Sequence, residues 1–297
     1  MWVALAFGSA FFAGLTSVLA KAGIKNINSN LATAVRTVVV VVFAWLMVFI
    51  TDSFTLQINT RSLIFLTLSG ITTGASWLCY FKALKIGDIS KVVPIDKSST
   101  VLTMMLAFLL LGEGLTIAKF ICMILIAAGT FMMTVKRRQG SDVAETSEVS
   151  GNSDEKPKKT WVLYALLAAI FASLTAILGK IGITDIDATL GTAIRTIVVL
   201  LVAWAIVFMQ GEQRNIKQID KKSGLFLVLS GLATGACWLF FYSALQLGPA
   251  SVVVPIDKLS IVITIVFGVI MFKEKLKFKS VAGLALIVIG TIWLIFT

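Results

Sequence analysis

Long apolar runs alternate with short polar breaks along the whole chain. Ten of these runs are about 20 residues long, which is the length a helix needs to cross a bilayer. A helix satisfies its own backbone hydrogen bonds inside lipid, whereas a barrel would show short alternating segments. The pattern therefore predicts an all-α integral membrane protein with ten transmembrane helices. The predicted spans are 3–20, 31–50, 63–84, 89–111, 115–135, 161–179, 189–209, 224–245, 250–272 and 281–296.

A single long polar segment, 136–160, interrupts this pattern. It is rich in Ser, Glu, Lys and Asp and has almost no apolar residues. Such a composition cannot bury enough apolar surface to fold, so we expect a disordered linker. The chain then divides into two units, 1–135 and 161–297.

The two units are copies of one another. TAVRTVVVVVFAW at 33–45 recurs as TAIRTIVVLLVAW at 192–204, and LSGITTGASWL at 68–78 recurs as LSGLATGACWL at 229–239. Each copy has five predicted spans, an odd number, so the second copy must enter the membrane from the opposite side. The sequence therefore predicts two inverted five-helix repeats.

The net charge of +11 first suggests a nucleic-acid partner, but the basic residues lie mainly between spans and set topology instead. Most of them fall on one face, while the other face has only Arg61, Lys119 and Lys180. The positive-inside rule then places the linker in the cytosol and both termini outside. We expect a prokaryotic cytoplasmic membrane protein, with no nucleic-acid partner.

The chain has no histidine, and its three cysteines stand apart from one another. This composition predicts no metal site, disulfide framework or cofactor. No nucleophile–base or metallohydrolase motif supports an enzyme.

Two adjacent charge pairs lie inside predicted spans: Asp96–Lys97 in the fourth and Asp257–Lys258 in the ninth. Charges at this depth usually face a bundle interior or a wet cavity. Neighbours on a helix diverge by about 100°, so we expect that both members of a pair cannot point directly at one cavity. The pairs either contact a solute or coupling ion, or are neutralised by partners on other helices. Proton coupling through the aspartates is a further hypothesis.

Arg36 and Arg195 lie in matching T-A-x-R-T segments of the second and seventh spans. Polar threonines on adjoining turns suit a wet interior face, where an arginine could bind a solute or balance Asp96 or Asp257. Snorkelling of the side chain to the nearer membrane surface is the alternative.

Trp77 and Trp238 lie in the middle of the third and eighth spans, with Tyr80 and Tyr242 nearby. Their rings either pack the helices together or wall a cavity. An aromatic wall suits an amine or a stacked aromatic solute.

A proline stands near the start of the fourth and ninth spans, as Pro94 and Pro255, and the spans end in LGE at 111–113 and KEK at 273–275. In this order the features resemble the EamA branch of the drug/metabolite transporter superfamily. The resemblance implies secondary transport of small solutes by alternating access, often export, without ATP hydrolysis. Our leading hypothesis is that the solute is a small polar or amphipathic metabolite.

Four of these residues are candidates for gating. Pro94 and Pro255 each remove a backbone hydrogen bond and can kink a helix at a gate. Glu113 and Glu274 close the fourth and ninth spans. Each glutamate is expected to form an ion pair with a nearby loop lysine or to act as a gate latch.

A second resemblance concerns VPIDK at 254–258, which is similar in position to a motif of nucleotide-sugar and triose-phosphate carriers. It implies an anionic or phosphorylated solute as the alternative, although Asp257 stands where those carriers have Asn. A non-transporting membrane sensor or assembly partner is a further alternative, and both a monomer and a homodimer remain open.

Overall fold

The computed structural model describes residues 1–23, 28–55, 58–86, 92, 95–134, 160–272 and 278–297. These residues form helices, turns and short connections, and none of them lies in a strand. The helices are α1 Trp2–Gly23, α2 Ser29–Ile50, α3 Thr60–Ile86, α4 Ser99–Leu110, α5 Ile117–Thr134, α6 Thr160–Gly182, α7 Ala188–Gln210, α8 Lys221–Leu247, α9 Ala250–Lys258, α10 Ser260–Phe272 and α11 Phe278–Ile295, with a 3₁₀ segment at Glu212–Gln218.

Seven stretches of the described chain are long and apolar enough to cross a membrane. Six are single helices, and the seventh, Ala250–Phe267, runs through α9 into α10. The shorter apolar helices Ile117–Met133 and Val281–Ile295 accompany them. Large apolar side chains such as Leu109 and Leu201 are exposed on the outer surface, as expected where helices meet lipid rather than water. The chain is an integral membrane protein.

Side-chain caps fix where several helices begin. The Asn28 carboxamide accepts the amide hydrogen of Asn30 at the start of α2, and Asp187 accepts those of Thr189 and Leu190 at the start of α7. Asp220 does the same for α8 through Ser223. These acceptors satisfy amide groups that the first turn of a helix leaves unpaired.

The predicted ninth span, 250–272, is two helices in the structure. α9 ends at Lys258, Leu259 stands between them, and α10 begins at Ser260. Pro255 lies inside α9 and lacks the amide hydrogen that would bond one turn back, which weakens the helix there.

The predicted fourth span is also interrupted. Residues 95–97 form a helical turn, Ser98 breaks it, and α4 begins at Ser99. Each Asp–Lys pair therefore stands immediately before a break in its helix, a placement that hydropathy alone does not indicate.

Helices of the two halves pack against one another across the molecule. α1 lies along α8, α3 along α6, α2 along α7, and α5 along α11. Glycines allow two of the closest crossings. A Cβ at Gly70 would stand 2.7 Å from the Cβ of Val198, and a Cβ at Gly231 would stand 2.7 Å from the Cβ of Val39. The α3–α7 and α2–α8 crossings thus depend on equivalent small residues.

Candidate functional site

A cavity of about 350 Å³ opens between the halves. It lies beside the N-terminal part of α2, the C-terminal part of α3 and the interruption before α4. Five of the predicted site residues of the first half line it, together with Lys258 of the second half. The lining residues are Thr33, Arg36, Ser76, Trp77, Tyr80, Phe81, Asp96, Lys97, Ser99, Ala172 and Lys258.

Asp96 and Lys97 both line this cavity, with 3.9 Å between Lys97 Nζ and Asp96 Oδ2. The expectation that neighbours on a helix cannot share one cavity is wrong for this pair. Side chains about 100° apart on this turn both border the cavity, with Lys97 48% and Asp96 21% exposed. A short helical turn at the mouth of a cavity exposes both side chains to it.

Asp257 and Lys258 do separate. Lys258 lines the cavity and is 45% exposed, whereas Asp257 is buried against α1. The Ser9 hydroxyl donates to Asp257 Oδ1 at 2.6 Å, and Lys258 Nζ lies 3.5 Å from Oδ2. Cys237 Sγ lies 3.5 Å from the Ser9 oxygen. Asp257 is therefore held by a polar contact from another helix as well as by its neighbour.

Arg195 is sealed inside the bundle, with 3% of the residue exposed. Its Nε donates to Ser69 Oγ at 3.0 Å, and Nη2 donates to Thr73 Oγ1 at 2.6 Å. The guanidinium carbon lies 4.9 Å from the ring centroids of both Trp238 and Tyr242. Hydroxyl groups and aromatic faces thus surround this charge, and Nη1 has no hydrogen-bond partner in the described part of the chain.

Tyr242 is fixed by the glycine it packs on. The residue is 2% exposed, and a Cβ at Gly179 would stand 3.2 Å from its Cζ. The ring of Phe241 contacts it edge-on at 5.3 Å. In the second half the predicted aromatic wall thus encloses the arginine of the protein itself.

Arg36 has different surroundings. It is half-buried, lines the cavity, and donates no hydrogen bond to any residue that the structure describes. It forms no ion pair with Asp96 or Asp257, so the structure does not support a role as their counter-charge. Trp77 and Tyr80 stand beside it on the cavity wall.

Glu113 joins the two halves at one end of the bundle. α4 ends at Leu110, and Gly112 takes a left-handed conformation (φ 66°) that an L side chain rarely adopts. The turn directs the Glu113 carboxylate to the start of α9, where it accepts the amide hydrogens of Ala250 at 2.6 Å and Ser251 at 2.9 Å.

Lys180 completes this contact, which we call the Glu113 latch: Glu113, Lys180, Gly248, Ala250 and Ser251. Lys180 Nζ lies 3.3 Å from Glu113 Oε1 and donates to the Gly248 carbonyl at 2.6 Å. A carboxylate at a helix N-terminus is favoured by the unpaired amides and the helix dipole.

The latch also sets the charge of Glu113. Burial by itself raises the pKa of the Glu113 carboxyl, but hydrogen bonds from Ser251 and Ala250, together with Lys180, outweigh burial. The net effect holds the pKa below its ordinary value, so the carboxylate stays ionised at neutral pH.

Two of the predicted gating residues, Pro94 and Glu274, lie outside the described residues. The prediction for them is therefore not addressed by the structure. Pro255 lies inside α9, between the latch and the charge pair.

The sequence did not identify Ser9, Ser69 or Thr73 as site residues, nor Lys180 as the partner of Glu113. A signal for two of them exists in the repeat: Ser69 and Thr73 are four residues apart, on one helix face, and recur as Ser230 and Thr234. Ser9 and Lys180 act through partners far away in the sequence, so nothing local identifies them.

The EamA-like transporter family matches residues 1–135 and again residues 159–296. The chain belongs to this family. EamA proteins form part of the drug/metabolite transporter superfamily, so the function is membrane transport of a small-molecule solute.

The relatives of this EamA-like chain include proteins of about half its length and of similar length. An uncharacterised transporter from Sinorhizobium sp. is 46% identical over 136 residues, which are 46% of this chain and 96% of that protein. An uncharacterised protein of Methanocaldococcus jannaschii is 27% identical over 135 residues, also 96% of its length. Both are therefore about half as long as this EamA-like chain.

An uncharacterised transporter from Archaeoglobus fulgidus is 24% identical over 92% of this chain and 90% of its own. A crystal structure at 15% identity superposes with a TM-score of 0.77 over 99% of this chain and 98% of its own, which shows a shared fold.

Proposed function

We propose that this EamA-like protein is a secondary transporter of a small polar or amphipathic metabolite, working by alternating access and acting as an exporter. The observation that carries the proposal is the cavity between the halves, which combines cations, a carboxylate and aromatic rings at membrane depth. Charges in that position are costly unless they serve a solute or ion path. A non-transporting sensor would also bind its ligand in such a cavity, and protein-dependent flux in liposomes separates it from a transporter.

The underlying architecture in this proposal is two inverted five-helix repeats, 1–135 and 161–297, joined by a cytosolic linker at 136–160. Two family matches, relatives of half length and cross-packing of α1 with α8 and α3 with α6 support this arrangement. α1 and α8 are the first and eighth predicted spans, and α6 and α3 are the sixth and third. A two-fold axis in the membrane plane would relate these two pairs to one another. The positive-inside count supports both termini outside, in a prokaryotic cytoplasmic membrane.

The Glu113 latch closes one end of the proposed transport path, whereas the cavity lies at the other end. Glu113 ties the end of α4 to the start of α9 at one end. The cavity lies instead toward the end where α2 begins and α3 finishes. In the predicted topology this second end is cytosolic. We assign the structure to a state closed outside, with the cavity on the cytosolic side.

Untargeted efflux tests the proposal. Proteoliposomes loaded with an isotope-labelled cell extract would be compared with liposomes carrying the Lys97→Gln variant, and released compounds identified by mass spectrometry. We expect at least one compound whose release saturates and depends on the native chain. If no compound is released in a protein-dependent way, the transport proposal is wrong. Release without saturation or counterflow would indicate a channel.

Proton coupling is a subsidiary part of the proposal. Asp257 faces Ser9 and Cys237 from neighbouring helices and lies beside Lys258, while Asp96 lies beside Lys97. Replacing either aspartate by asparagine should abolish transport driven by a pH gradient while preserving shape. If transport by both variants still depends on the pH gradient, the proton-coupling hypothesis is wrong, whereas the transport proposal is unaffected.

A further inference from the structure

The cavity carries an unbalanced positive charge. Its described lining and immediate neighbours include three cations, Arg36, Lys97 and Lys258, and two carboxylates, Asp96 and Asp257. Each lysine lies within 4 Å of one carboxylate, at 3.9 Å for Lys97 and 3.5 Å for Lys258. Arg36 is the remaining cation, without a carboxylate partner in the described part of the chain.

An unpaired guanidinium at membrane depth is costly, and the cost falls when an anion joins it. Its planar fork of donors matches the two oxygens of a carboxylate or phosphate. The sealed counterpart, Arg195, shows how this protein otherwise stabilises such a group: two hydroxyl acceptors and two aromatic faces. Arg36 donates to neither Ser230 nor Thr234 of α8 in the described part of the chain, although these hydroxyls donate to α1 and α8 as Ser69 and Thr73 donate to α6 and α3.

The apolar part of the cavity stands next to this charge. Trp77, Tyr80 and Phe81 line one wall, and the rings of Tyr80 and Phe81 meet edge-on at 5.8 Å. Aromatic walls accept a flat ring by stacking, and they also attract amines. The surplus cation decides between these solutes, because an amine would add a second unbalanced charge.

We infer that the transported solute is a small amphipathic oxyanion, with one carboxylate or phosphate group on Arg36 and an apolar part against Trp77. The inference rests on the proposed transport function and specifies the substrate class of the same cavity. Lys97 and Lys258 line the same cavity and supply further hydrogen-bond donors to it.

The test is calorimetric titration of the purified chain in lipid nanodiscs, with empty nanodiscs as the blank. Four probes share one ring: phenylacetate, phenyl phosphate, 2-phenylethanol and phenethylamine. We expect at least one of the two anions to bind about tenfold or more tightly than the alcohol, and the amine to bind most weakly. Comparing the two anions distinguishes carboxylate from phosphate. Preferential binding of the amine or the alcohol, or binding of none of the four, overturns the inference.

Variants locate the binding group. Arg36→Gln should lower the affinity for the favoured anion about 10- to 100-fold, and Arg36→Lys, which keeps the charge, should recover part of it. Arg61→Gln is the matched control, because Arg61 is exposed and packs 5.9 Å from the Phe65 ring rather than in the cavity. An unfolding temperature equal to that of the native chain shows that a variant is folded. Native affinity in a folded Arg36→Gln variant overturns the inference.

The efflux experiment separates this inference from the transport function beneath it. If only neutral or cationic compounds are released in a protein-dependent way, the oxyanion inference is wrong and the transport proposal is supported. Absence of any protein-dependent release would remove the transporter itself, whatever the titrations show.

Discussion

Arg36 and Arg195 occupy equivalent places in near-identical segments, yet one faces a cavity and the other is enclosed. Arg195 has hydroxyl partners on α3 and two aromatic rings around it. Arg36 has neither hydroxyl contact, although Ser230 and Thr234 stand on α8 where Ser69 and Thr73 stand on α3. Nearly the same local sequence therefore supports two environments.

The largest expected effect comes from removing each arginine. Arg195→Ala should destabilise the protein by about 2–4 kcal/mol, since two hydrogen bonds to a charged group and two cation–π contacts are lost. Arg36→Ala should leave stability unchanged or raise it, because no described partner is lost and an unpaired charge at membrane depth is removed. Scanning fluorimetry of both variants in detergent measures the difference. Equal shifts for the two would show that the enclosed and open environments are not distinct.

The glycine crossings should instead behave alike in both halves. Gly70→Ala and Gly231→Ala would each bring a Cβ within 2.7 Å of a valine Cβ, so each should cost about 1–3 kcal/mol. Gly114→Ala is the control, because a Cβ there meets nothing within 4 Å. The same unfolding assay applies. A clear inequality between the two crossings would mean that the halves differ in more than the arginine sites.

A smaller effect is expected at the latch. Glu113→Gln removes the ion pair with Lys180 and weakens the interaction with the α9 amides, at about 1 kcal/mol. A cysteine at the buried position Val252, with Cys79, Cys122 and Cys237 replaced, should then react about fivefold faster with an impermeant maleimide. Glu212→Gln, in the 3₁₀ segment, serves as the control. Unchanged labelling would show that Glu113 does not hold this end closed.

Lowering the pH should weaken the latch, as the Glu113→Gln substitution does. Because the pKa of folded Glu113 lies below its ordinary value, its stabilisation is complete above the unfolded pKa, about 4.3. It is lost as the pH falls through the lowered pKa of the folded state. The difference in unfolding temperature between native chain and Glu113→Gln should therefore persist from pH 7 to about 5 and shrink below it. A difference that grows on acidification would reverse the assigned sign.

The sequence predicts the helices well because crossing a bilayer demands length and apolarity, which hydropathy reads directly. It places α9 and α10 in one span. Pro255 indicates where the helix is weakened, but the residue at which the helix ends depends on packing against other helices. The contrast between Arg36 and Arg195 could not be predicted at all, because the segments around them match. The Glu113–Lys180 contact joins residues 67 apart, which only the tertiary fold brings together.

The seam between α5 and α11 brings two backbones into direct contact. A Cβ at Gly129 would stand 2.6 Å from the Gly283 carbonyl oxygen, and one at Gly283 would stand 2.8 Å from that of Gly129. With no side chains between them to repack, we expect these helices to keep a fixed spacing. We expect spin labels placed across this contact to keep their separation while labels across the latch move apart during the proposed transport cycle.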